Sequence, residues 1–173
     1  MIIRRLIGNA SAIAAAALMV VAVVTAATAL DAPSDEPILT ISGDIAVTNG
    51  DGKAVFDRAM LESLGTVRFT TMTPWYDTPV EFEGVPVRAV LEAVGASGEQ
   101  VTAVALNDYK ATIPAEDFAK FDVLLALKRD GEYMPVRDKG PLFIVYPYDS
   151  DPELQNQKYY GRSVWQLSAL VVE

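Results

Sequence analysis

The chain contains neither cysteine nor histidine among its 173 residues. That double absence constrains the fold before any pattern is read. No disulfide can staple the chain, and no thiolate or imidazole can organise a zinc, copper, haem or iron–sulfur centre. Whatever it folds into must be held by its own apolar core. A cysteine nucleophile and any Ser-His-Asp arrangement made by this chain alone are excluded as well. Carboxylate-bound hard cations are the metal chemistry left open.

Residues 1–29 read as a secretory signal peptide. Arg4 and Arg5 form a positive start, residues 10–24 an apolar run, and Ala27-Thr28-Ala29 a small-x-small cleavage site. An uncleaved anchor is the alternative, because the apolar run approaches the ~20 residues a span requires. The lack of a positive flank behind the run favours cleavage, and its strong apolarity favours the general secretory route over the twin-arginine one. A periplasmic or extracellular location is expected. Loss of Arg4 and Arg5 takes the formal net charge from −9 to −11. Such a surface repels phosphate backbones and anionic lipid, so nucleic acid is not expected as a partner. The remaining chain of about 144 residues is long enough to bury roughly 70% of its unfolded surface in one core.

Residues 30–37, with two prolines and three acids, read as a flexible linker, and residues 38–173 as one domain. A strand with a bend at Gly43 is predicted over residues 38–47, and a turn at Asn49-Gly50-Asp51-Gly52 leads to a return strand at residues 54–56. Asp57 caps a two-turn helix with Met60, Leu61 and Leu64 on one face. A strand at residues 67–70 leaves through TTMTPWYD, returns at residues 80–83 and turns at Gly84. Pro86 then opens a helix with Val87, Val90, Leu91 and Val94 inward. Hairpins are predicted around Asn107-Asp108 and Asp130-Gly131, with a single helical turn at residues 114–118 between them. Residues 142–146 form an apolar strand, residues 147–158 a long polar loop, and residues 163–172 a closing strand. This amounts to seven to nine strands and two or three short helices. Hairpins with segregated helices predict an α+β fold of mixed sheets, not a parallel βαβ array.

Four segments in order carry a likeness: VEFEGVPVRAVL at residues 80–91, NDYKATIP at 107–114, GPLFIVYP at 140–147 and GRSVWQL at 161–167. Together they resemble the molybdopterin-binding domain of sulfite-oxidase-type oxidoreductases, above all its short, exported, stand-alone members. The resemblance covers about residues 38–172 and implies that family's fold, with molybdopterin as the cofactor to consider. It also implies a metal-binding cysteine in the segment VRFTTMTPWYD, where Thr71 and Met72 stand instead. A phosphate-facing lysine is implied in the final motif, where Trp165 stands, and cofactor-side histidines are implied of which this chain has none. Retention of the metal cofactor is therefore not expected, and neither catalytic nor metal-ligating residues are assigned.

The candidate ligand-binding residues are Thr71, Thr73, Trp75, Asn107, Tyr109, Arg137, Arg162 and Trp165. Hydroxyls and aromatics gathered at a strand exit match the usual lining of small-ligand sites, although Trp75 also suits a core anchor. Asn107 and Tyr109 either face the cofactor pocket implied by the resemblance or simply make their turn. Arg137, Lys139 and Arg162 lie beside Gly140 and Gly161, where cations either receive an anionic group or pair with Asp149, Asp151 or Glu153. Tyr146, Tyr148, Tyr159 and Tyr160 flank the long loop as candidate gates. Calcium at Asp149, Asp151 and Glu153 is disfavoured against a solvated acidic loop.

Three functions are compatible with these features. The first is a non-catalytic exported binding or sensory-partner module taking a small polar or anionic ligand. The second is a molybdopterin-dependent oxidoreductase with an atypical metal site. The third is a structural partner of a membrane signalling or redox protein.

Overall fold

The computed structural model describes residues 30–173, so the expected signal peptide lies outside the described residues. Two five-stranded sheets share one continuous core. The first contains β1 (Leu39–Gly43), β2 (Ala54–Phe56), β5 (Gln100–Ala105), β6 (Lys110–Pro114) and β10 (Leu167–Val172), in the order β2-β1-β10-β5-β6. The second is built from β3 (Val67–Thr73), β4 (Tyr76–Pro86), β7 (Leu124–Arg129) and β8 (Glu132–Tyr133), with β9 (Phe143–Val145) also paired to β7. Only the β1–β10 pair is parallel among these strands, with Thr40 opposite Ala169. Four short α-helices complete the fold: α1 (Arg58–Ser63), α2 (Val87–Ala93), α3 (Ala115–Lys120) and α4 (Gln157–Arg162). No helix among the described residues is long and apolar enough to cross a membrane.

The α+β expectation holds, with ten strands and four α-helices where fewer of each were predicted. Asp57 caps α1 by accepting from the Met60 amide at 2.8 Å. Both hairpin turns form where expected, with Asp108 and Asp130 at positive φ.

Several boundaries move. β1 stops at Gly43, whose φ of +92° and contact with the Val172 backbone leave no room for a side chain. β3 continues through Thr73, so TTMTPWYD is not a strand exit. It is the tip of a hairpin in which Thr73 pairs with Tyr76 across Pro74-Trp75. Gly84 does not turn the chain either: it lies within β4 at a register shift, where a Cβ would overlap the Leu125 carbonyl. The polar loop at residues 147–158 is folded into two 3₁₀ turns, Tyr148–Ser150 and Pro152–Leu154, that run into α4.

Residues 30–37 are also held more firmly than a flexible linker would be. The amides of Ser34 and Asp35 donate to the Asp57 carboxylate at 2.7 and 3.0 Å, and the Asn49 side-chain amide holds the Asp31 carbonyl at 2.8 Å. Leu30 packs against the core.

Candidate functional site

The β3–β4 hairpin tip projects Trp75 into the chain's aromatic cluster. Pro74 fixes the turn, and the Thr73 hydroxyl accepts from the Trp75 amide at 3.3 Å. The indole meets Phe143 at 5.4 Å, Trp165 at 5.6 Å, and Tyr148 and Tyr160 at 6.2 Å each, all edge-on. It is therefore a packing anchor and a cavity wall at once.

The β5–β6 turn supplies the opposite wall. Asn107 accepts from the Tyr109 amide at 3.2 Å, and the Tyr109 hydroxyl donates to the Gly161 carbonyl at 2.9 Å. That bond ties the turn to α4, which is capped by Asn156 accepting from the Lys158 amide at 2.8 Å. Beyond α4, the Ile144 amide donates to the Val164 carbonyl at 3.0 Å, and Trp165 bridges to Phe143. These ties place the GRSVW segment against β9.

Between the walls lies a cavity of about 310 Å³. Four of the expected site residues line it: Trp75, Asn107, Tyr109 and Trp165. Gln157, Tyr160 and Ser163 join them from a stretch that sequence reasoning treated largely as loop. None of the lining side chains carries a formal charge.

The other four expected residues lie elsewhere. Thr71 is buried, its hydroxyl accepting from the Asp149 amide at 3.1 Å, while the Asp149 carboxylate accepts from the Met72 amide at 2.7 Å. The pair clamps β3 to the first 3₁₀ turn. Thr73 faces a separate depression beside Met72 and Asp149. Arg137 is exposed and outside the cavity lining. Arg162 turns away from the cavity altogether, because its guanidinium donates to the buried Asp117 carboxylate at 2.6 Å. Residues 161 to 165 thus send the arginine to one side and the indole to the other.

The tyrosines divide in the same way. Tyr160 lines the cavity, whereas Tyr146, Tyr148 and Tyr159 are buried in the core and cannot gate it. Tyr146 donates to Asp117 at 2.8 Å, and burial together with that carboxylate raises its pKa far above the ordinary phenol value. Burial does the same to Tyr148, which shares a hydrogen bond with Ser163. Tyr159 is pushed up to about 12 by its bond to Glu153 and by burial. All three are neutral at physiological pH. Glu153 also takes Lys120 at 2.7 Å, and Asp151 caps the second 3₁₀ turn, so the loop acids are fasteners. Among the described residues, no group of three or more acids is placed to hold a metal ion.

Residues 57–149 match the family model described as the oxidoreductase molybdopterin binding domain. The chain belongs to that family. No curated protein matches it closely enough to name a relative. The matched part carries Trp75, Asn107 and Tyr109, while the cavity wall from Gln157 to Trp165 lies beyond it.

The donor set of this member does not fit a metal-bearing pterin. The metal ligand implied by the resemblance is a thiolate, and of the two positions that resemble its site, Thr71 is committed to Asp149 and Met72 lies 40% exposed outside the cavity. A pterin phosphate needs a cation, and the cavity lining has none. The hydroxyls on the lining belong to Tyr109, Tyr160 and Ser163, and no imidazole, carboxylate or ammonium joins them. What the arrangement can do is hold a ligand between rings and carboxamides.

Proposed function

We propose that this chain is an exported, non-catalytic binding module built on the molybdopterin-oxidoreductase fold. One observation carries the reading: the cavity that gathers Trp75, Asn107, Tyr109 and Trp165 is uncharged and aromatic-walled, while Arg162, the arginine of the GRSVWQL segment, is committed to Asp117. A cavity that lacks the thiolate and the cation implied by the resemblance favours binding over redox turnover. The ligand is small and polar. The anionic alternative loses its support, because no cation lines the cavity.

A protein partner belongs to the same proposal, with a membrane signalling or redox component as the expected kind. Its support is the rim, where Leu106, Tyr109, Val136 and Trp165 are between 37% and 52% exposed. The Gln166 carbonyl accepts from the Leu106 amide and its side chain donates to the Val136 carbonyl, which joins these residues into one surface.

The deciding experiment is metal and pterin analysis of protein recovered from its native exporting host, with intact mass measured on the same sample. Molybdenum well below one atom per chain and a chain beginning at or near Leu30 are expected. One molybdenum and one pterin per chain, with turnover of a sulfoxide or sulfite-type substrate, would establish the atypical oxidoreductase instead.

A further inference from the structure

Both tryptophans of the chain line the same cavity, together with Tyr109 and Tyr160. Trp75 meets Trp165 at 82° and Tyr160 at 71°, so the rings form corners of a box and not a stack. A box of aromatic rings has a definite electrostatic preference. Ring faces carry negative quadrupole density and attract cations, most effectively from indole.

Three further observations select the cation over other occupants. The lining offers no guanidinium or ammonium to receive an anion, and Arg162 is held by Asp117. The molecule already uses a Trp165 face in this way, since the Lys139 ammonium sits 4.4 Å from the ring centroid without itself lining the cavity. The net charge of the described residues, −11 once Arg4 and Arg5 are set aside, concentrates cations at the surface. The absence of a lining carboxylate narrows the class again. A primary ammonium would enter without an ionic hydrogen-bond partner, whereas a methylated ammonium has no such requirement and little hydration to lose.

We infer that the cavity binds a small organic cation with a methylated ammonium head, its polar tail meeting the carboxamides of Asn107 and Gln157. This rests on the binding role proposed for the cavity and names the ligand class.

Tryptophan fluorescence reads the site directly, because Trp75 and Trp165 are the only indoles in the chain. Full-length mature protein is titrated at constant ionic strength with choline, with its uncharged carbon analogue 3,3-dimethylbutanol, and with inorganic phosphate. Choline is expected to saturate the signal, the analogue to bind about tenfold more weakly, and phosphate to have no effect. Trp165→Leu should weaken choline binding by about tenfold or more, with Trp75 left as reporter. Lys139→Met should tighten it about twofold by removing a nearby like charge. Circular dichroism checks each variant, and if Trp165→Leu is unfolded the Lys139 variant decides.

Equal affinity for choline and its carbon analogue overturns the cation assignment but leaves a binding cavity. Phosphate binding that is lost in Lys139→Met overturns it in favour of an anion site. No saturation by any titrant also overturns it, while the non-catalytic reading stands or falls separately on metal and pterin content.

Discussion

Asp117 accepts two donors at a single carboxylate oxygen, Tyr146 at 2.8 Å and Arg162 at 2.6 Å, with a side chain only 6% exposed. A carboxylate that deeply buried is tolerated because both a charge and a hydrogen bond answer it. Arg162→Met leaves the carboxylate with the phenol alone and should destabilise the domain by about 3 kcal/mol, measured by urea unfolding. Ligand affinity in the surviving folded protein should hardly change. A variant that melts normally but loses cavity binding would return Arg162 to the site. The buried phenols make a second residue-scale prediction. Tyr146, Tyr148 and Tyr159 all have folded-state pKa values above the free value. The folded state therefore keeps protons that the unfolded state releases above pH ~10. Their stabilising contribution is complete below that pH and is lost as pH climbs through the folded values. Melting temperature should fall steeply above pH ~10, and Tyr146→Phe should flatten the fall.

At the scale of elements, close backbone approaches matter more than the turns that betray themselves in sequence. Gly84 sits where β4 and β7 come together, with the Leu125 carbonyl and the Ala126 backbone in the space a side chain would need. Gly84→Ala should cost at least about 3 kcal/mol, whereas Gly50→Ala, with open space around it, should stay within about 0.5 kcal/mol. Comparable denaturation midpoints for the two would disprove the close-packing account. Gly84 also marks the edge of what sequence reasoning can read. A glycine before Val-Pro suggests a turn locally, and only the partner strand reveals that the missing Cβ serves strand contact. The hairpins at Asp108 and Asp130 were legible because a turn residue advertises its own backbone. α4 was not legible: QKYYGR is polar, short and contains a glycine, so it carries no apolar stripe, and its position follows from a cap at Asn156 and from Arg162 reaching Asp117. The site divides on the same line. Trp75, Asn107, Tyr109 and Trp165 could be nominated by type, but side-chain direction within GRSVW depends on β9 and α3, which lie far away in the chain.

Across the whole molecule, β10 is the central strand of the first sheet, with β1 on one side and β5 on the other. Its inward residues Leu167, Leu170 and Val172 are all buried. A chain ending at Gln166 would therefore lose the middle of a sheet, not an edge, and should show no cooperative thermal transition. A sharp native-like melt from that truncated chain would mean that the second sheet folds independently. The same topology sets an order in time. Thr40 waits for Ala169, so a ribosome must release almost the entire polypeptide before the first strand can meet the last. While the chain is being made, the first sheet therefore stays open on both sides of the place that β10 will fill. For the export proposed above, a sheet that closes only when β10 arrives would keep the chain threadable for as long as it is being delivered.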